Sequence, residues 1–212
     1  MALASNALAT VADFNGDTGN STTATAERFI NAASDAIERY LDRSLQYATG
    51  LTQTLAPTGG TRLMVDRTPL RAITSIVTVD GATIDSTSYA IEGTGEAGFI
   101  YCNAGWLWTA NTMSAMEPYQ KPGTERPFYV VTYAAGYSLP AQTQTYPLPV
   151  SITEACLITA AAMYARRGKQ DDIASESVGN ASVSYGYSIV TGRNVIPATA
   201  MQLLAPFKRL GT

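Results

Sequence analysis

Leu148–Gly168 reads LPVSITEACLITAAAMYARRG, and this stretch decides the fold. Pro149 suits the first turn of a helix, where a missing N–H costs nothing. From Ile152 to Ala165 the only charge is Glu154. Arg166 and Arg167 complement the negative end of a helix dipole, and Gly168 provides a stop. The spacing therefore predicts a helix from about Pro149 to Arg167. A helix that is apolar on every side must be covered on every side. One small sheet does not do that, so the stretch calls for a helical partner, from this chain or from a neighbouring subunit.

The same chain offers such a partner near its start. Phe29, Ile30, Ala33, Ile37, Tyr40 and Leu41 recur at helical spacing and predict an amphipathic helix over about Ala24–Leu45. Asp35 and Arg39 form an i,i+4 pair on its outer side. Ahead of it, residues 2–12 read as an apolar, Ala-rich segment of one or two helical turns. DFNGDTGNSTTAT, residues 13–25, reads as turn and cap chemistry.

Between the helices the periodicity changes. Leu51–Leu55, Arg62–Val65, Ile73–Val79, Ser88–Ile91, Phe99–Tyr101 and Phe128–Tyr133 are short runs rich in β-formers, separated by turns. Asp80-Gly81 is a hairpin signal, and Pro69 marks a sharp bend before Ile73–Val79. Residues 102–127 read as a long irregular loop bearing Trp106, Trp108 and Tyr119. After the second helix, residues 182–190 suggest a hairpin arm around Tyr185-Gly186-Tyr187. A last short helix begins near Pro197 and carries Met201, Leu203, Leu204 and Phe207, before Lys208 and Arg209.

The fold class is accordingly α+β: helices from both ends of the chain packed together, a small antiparallel β unit inserted between them, and a C-terminal arm. The expected divisions are 1–48 for the N-terminal helical segment, 49–147 for the β unit with its aromatic loop, and 148–212 for the helix, hairpin arm and tail. The helical parts form one domain.

Composition narrows the function. Of 212 residues, 46% are hydrophobic and only 15% charged, against about 25% charged in an ordinary soluble protein. Such a chain is expected to have part of its surface covered by other subunits. The net charge of −3 and the absence of a basic tract leave no electrostatic footprint for gripping nucleic acid. Residues 1–30 lack the cationic start and long apolar run of a signal peptide. No run approaches the roughly 18 apolar residues of a membrane span. The expected compartment of synthesis is the cytoplasm of the producing cell. Cys102 and Cys156, far apart and without metal-ligand spacing, read as buried thiols.

Nothing in the sequence converges on catalysis, a cofactor or a metal. There is no histidine, hence no Ser-His-Asp or Cys-His centre. Glu92 and Glu96 flank a glycine turn and read as solvated loop acids. Gly93, Gly95 and Gly98 spell GxGxxG, but a strand-like run, Phe99–Tyr101, follows where a dinucleotide site needs a helix. Asp13, Asn15 and Asp17 resemble the start of a calcium loop. Thr18 and Ala24 stand where that loop needs Gly and Glu, so a turn is the preferred reading. Trp106, Trp108, Tyr119 and Tyr129 could form a stacking platform for a sugar or base. With only Lys121 and Arg126 nearby, core or interface packing is preferred.

The ordered phrases along the chain carry a resemblance. Ile37-Glu38-Arg39-Tyr40-Leu41-Asp42-Arg43 closes the first helix. Leu63-Met64-Val65, Thr68-Pro69-Leu70 and Ile73-Thr74-Ser75-Ile76 follow, then Asp80-Gly81. Tyr129-Val130-Val131-Thr132-Tyr133 precedes Gly136-Tyr137. Leu148-Pro149 opens the helix that closes with Tyr164-Ala165-Arg166-Arg167. Glu176-Ser177-Val178-Gly179, Ser182–Tyr185 and Leu203–Phe207 come last. In order and spacing these resemble the phage head-tail connector (adaptor, or head-completion) family, across about residues 28–207. Residues 1–23 and 102–127 fall outside the matched phrases.

The resemblance implies a structural virion protein of the neck, between head and tail. It implies a homo-oligomeric ring of about twelve copies with heterologous contacts. The portal lies on one side, a stopper or tail protein lies on the other, and DNA crosses the channel as cargo. On that reading Met201, Leu204, Phe207, Lys208, Arg209 and Leu210 are candidates for portal binding. The alternative for this tail is an ordinary capping helix of its own subunit. Ile152, Leu157, Met163, Tyr164, Tyr185 and Tyr187 are candidates for the subunit interface. The competing function is a tail-fibre or baseplate module whose β unit binds a protein or sugar.

Overall fold

A computed structural model describes residues 2–19, 21–56, 59–78, 81–106, 129–140, 142, 145–167, 175–178, 181–184 and 195–208. The fold is α+β. It divides into two compact units, Met1–Arg43 with Leu139–Thr212, and Ser44–Ser138.

The first unit holds helices α1 (Val11–Thr18), α2 (Thr23–Leu41), α3 (Val150–Arg166) and α4 (Ala198–Leu204). Helix α4 runs on into a 3-10 turn, Ala205–Phe207. On α2, Phe29, Ile30, Ala33, Ile37 and Leu41 are all buried, each large side chain stabilising by about 1.5–3 kcal/mol. The opposing face of α3 buries Ile152, Ala155, Cys156, Leu157 and Ala160. Helices α1, α2 and α4 all pack on α3. Its all-round apolar surface thus finds helical partners inside its own chain. The buried Thr159 hydroxyl donates to the Ala155 carbonyl at 2.7 Å, so burying it leaves no polar group stranded.

Two helix boundaries differ from expectation. Residues 13–18 are helical, within α1, because Thr10 and Asp13 form a capping box. The Thr10 Oγ1 accepts from the Asp13 backbone N at 3.1 Å, and the Thr10 backbone N donates to Asp13 Oδ2 at 3.2 Å. A capping box with Asp in place of the usual Glu, and Gly16 inside the helix, make this segment read as a turn. Helix α2 stops at Leu41 instead of about Leu45. Asp42 takes the left-handed conformation at φ 53°, and the Arg43 N–H reaches back to the Glu38 carbonyl at 3.3 Å. Aspartate tolerates that conformation better than most residues.

The second unit is built from β1 (Ala48–Leu55), β2 (Arg62–Met64), β3 (Leu70–Thr78), β4 (Tyr89–Ile91), β5 (Phe99–Cys102) and β6 (Tyr129–Ala135). They form two antiparallel sheets, ordered β1-β6-β3 and β2-β5-β4. Strand β6 is central and mostly buried, as its Val- and Tyr-rich sequence requires. The core gathers Leu63, Val65, Leu70, Ile76, Ile100, Trp106, Tyr129, Val131 and Tyr133. The turn after β3 closes as Thr78 N donates to Ala82 O at 2.8 Å, with Gly81 at φ 84°.

The hairpin of the C-terminal part pairs β7 (Ser175–Val178) with β8 (Ala181–Ser184) in antiparallel register. The arm expected over residues 182–190 is described only as far as Ser184. Tyr185 and Tyr187 lie outside the described residues.

Candidate assembly surface

The glycine turn between β4 and β5 is structural. Gly93, Gly95 and Gly98 all have positive φ, and strand β5 follows them. A Cβ on Gly95 would stand 2.0 Å from the Leu70 carbonyl oxygen. The Leu70 N–H instead donates to Gly95 O at 2.8 Å, which fastens the turn to the start of β3.

The two acids flanking this turn are loop acids, Glu96 exposed and Glu92 partly so, and each is also ion-paired. Glu92 accepts from the Arg62 guanidinium, and that hydrogen bond raises the Arg62 pKa. Glu96 accepts from the Tyr137 hydroxyl at 2.8 Å and pairs with Arg71 at 3.3 Å. The Arg71 guanidinium also lies over the Tyr137 ring, 5.2 Å from its centroid. Both cations come from other strands, a tertiary pairing that local sequence does not display.

The aromatic residues divide in the same way. Trp106 is 1% exposed, and its Nε1 donates to the Ile100 carbonyl at 3.2 Å. Its ring meets Tyr129 edge-on at 5.2 Å. Both are core residues of the β unit and form no stacking platform. Trp108 and Tyr119 lie outside the described residues.

Asp13 is committed to its capping box, and Asn15 accepts from the Ser21 hydroxyl at 2.6 Å, on a helix instead of a loop. Among the described residues no group of three or more His, Cys, Asp or Glu could hold a metal ion. Cys102 and Cys156 are free and buried. Burial pushes the Cys156 thiol up to about 11; Ser34, whose Oγ is 3.6 Å away, acts in the other direction. A thiol so placed is a poor nucleophile at neutral pH. Among the described residues no helix is long and apolar enough to cross a membrane.

What the helical unit offers is surface. Leu204 is fully buried and Ala200 with it, so the inner face of α4 packs inside its own unit, as a capping helix does. Met201 and Phe207 are half-buried, and Lys208 is exposed with its Nζ 4.9 Å from the Tyr40 ring centroid. Arg209 and Leu210 lie outside the described residues. Of the residues expected at a subunit interface, Ile152 and Leu157 are buried within the unit, while Met163 and Tyr164 keep partial exposure.

Tyr164 centres an aromatic cluster. Its ring meets Phe14 at 5.9 Å and Phe29 at 5.7 Å, both edge-on. Two guanidiniums stack on this cluster: Arg167 lies 3.9 Å from the Tyr164 centroid, and Arg28 lies 4.7 Å from that of Phe29. The sequence marks Arg167 as a dipole complement and as the end of a matched phrase, and it assigns Arg28 no role. Their meeting depends on packing between α2 and α3, which spacing along either helix does not reveal.

No family model and no curated protein matches the sequence. Solved structures do share the fold. A chain in the neck of an empty gene transfer agent particle, computed with C6 symmetry, is 17% identical and superposes with a TM-score of 0.54. The match covers 100% of this chain and 94% of that one. A chain in the neck of the native particle, computed with C12 symmetry, gives 16% identity and a TM-score of 0.51 over the same shares. A chain of the native gene transfer agent virion gives 17% and 0.53.

Proposed function

We propose that this chain is a structural virion protein of the neck, a ring-forming connector subunit that joins a DNA-filled head to a stopper or tail. The observation that carries this reading is fold likeness over the whole chain, helical and β units together, to neck chains of a phage-like particle. A stand-alone sugar- or protein-binding β module would not need the helical unit, so the likeness favours the connector over a tail-fibre or baseplate piece.

The chemistry agrees. A neck subunit works by docking, not turnover, and this chain has no histidine. Its low charge suits a protein whose surface is shared with neighbours. A net charge of −3 suits a conduit through which DNA must pass without being held, since phosphate affinity comes from cationic contacts. Copies of one chain arranged cyclically meet through two different patches, and repeating one such contact closes the ring.

For the portal contact, the outer face of the C-terminal helix is the proposed surface, with Met201 and Phe207 supplying apolar area and Lys208 a charge. Removing residues 197–212 outright would uncover α3, because Leu204 and Ala200 pack there. The cleaner test is the double substitution Phe207→Ser with Lys208→Glu, followed by co-purification with the portal of the same particle. Loss of portal binding with unchanged helical content supports the docking face. Full retention refutes it.

A further inference from the structure

We infer that the two ends of α3 are the complementary halves of the copy-to-copy contact, with Glu154 of one copy meeting the Arg28–Arg167 cluster of the next. The inference rests on the ring reading above and names the surfaces that would close it.

A cyclic assembly of identical chains needs two patches that differ from each other and fit each other. Helix α3 carries such a pair. Near its start Val150 is 75% exposed, the most exposed large hydrophobic among the described residues, and Glu154 is exposed one turn later. Among the described residues Glu154 has no ion-pair or hydrogen-bond partner. At the other end Arg167 and Arg28 are exposed. Their contacts among the described residues are the aromatic faces of Tyr164 and Phe29, with no carboxylate. At 1.5 Å per residue, Glu154 and Arg167 lie about 20 Å apart along the axis. Neither can satisfy the other within one copy.

Stacking matters to the chemistry of the cationic end. A guanidinium laid on an aromatic ring keeps its N–H edge free while its plane is held, so less side-chain freedom is lost when a carboxylate arrives. The partly exposed Tyr164 beside it offers apolar area to match Val150. The cluster has too few cations for a nucleic-acid footprint, which needs several phosphate contacts. A single carboxylate beside an apolar side chain fits it better, and this chain supplies both on one helical turn.

The test is a charge exchange in the full chain, read as ring formation by native mass spectrometry and electron microscopy, with portal added if the chain alone stays monomeric. Glu154→Arg and Arg167→Glu are each expected to weaken assembly by about 1.5-fold to fivefold per contact, the range for exposed ion pairs. The double variant is expected to recover most of that loss, because the pair is re-formed with reversed sign. Circular dichroism checks that each variant is folded. If the wild-type chain forms no ring under any condition, the neck reading itself fails. If it forms rings and both single variants assemble like wild type, or the double variant is no better than the singles, the ring stands and this contact is wrong.

Discussion

Replacing Trp106 by alanine separates a core residue from a binding platform. The indole is 1% exposed, donates from Nε1 to the Ile100 carbonyl, and meets Tyr129 edge-on. Truncating a buried aromatic to alanine costs about 3–5 kcal/mol. Within that, the hydrogen bond contributes about 1 kcal/mol and the aromatic pair about 0.5–1.5 kcal/mol. A loss near 4 kcal/mol is a large share of an ordinary domain's stability of about 5–15 kcal/mol. With a urea slope of about 1.5 kcal/mol per M, the midpoint falls by roughly 2.5 M. The conservative Trp106→Phe keeps most of the volume and is expected to lose about 1–2 kcal/mol. Circular dichroism follows the whole chain, and amide exchange at Ile76 and Val131 reports the β unit alone. A midpoint shift worth less than about 1 kcal/mol for the alanine variant would refute the core assignment and reopen the surface-platform reading.

Other consequences are equally concrete. Gly95→Ala drives a Cβ into the Leu70 carbonyl oxygen at positive φ, so a loss of about 2–3 kcal/mol is expected by urea unfolding. Gly93→Ala has open space around its Cβ and bears only the left-handed backbone cost of about 1 kcal/mol; equal losses at the two sites would contradict the docking of this turn. Leu204→Ala is expected to cost about 2–5 kcal/mol in thermal or chemical unfolding, because its side chain is fully buried. A neutral result would put α4 outside its own unit's core. Cys156 has a folded pKa raised to about 11 from 9.0. A raised folded pKa means its contribution is intact below about pH 9 and fades as pH climbs toward 11. The wild type is therefore expected to lose on the order of 2 kcal/mol relative to Cys156→Ala between pH 8 and pH 11. A constant difference across that range would show the thiol to be accessible.

Much of the fold is legible in single stretches. The run from Ile152 to Ala165, apolar on every side, demands helical neighbours, and α1, α2 and α4 supply them. The Val- and Tyr-rich 129–133 segment announces a buried strand, and β6 is the middle of its sheet. What escapes such reading depends on partners distant in sequence. Asp13 reads as a loop acid until Thr10 is seen to share a capping box with it. Glu92 and Glu96 read as solvated loop acids, and what the sequence does not display is their pairing with Arg62, Arg71 and Tyr137 from other strands. For the candidate surface, Tyr164 is legible as a large side chain on the key helix. Arg28 is not, because its role comes only from α2 laying Phe29 against Tyr164.

The central claim is that this chain closes a ring at the neck. Its most direct test is single-particle imaging of the purified chain, alone and mixed with the portal of its own particle. Closed rings of about twelve copies, coaxial with the portal when portal is present, are the predicted result. A chain that remains monomeric and leaves the portal undecorated would contradict the account.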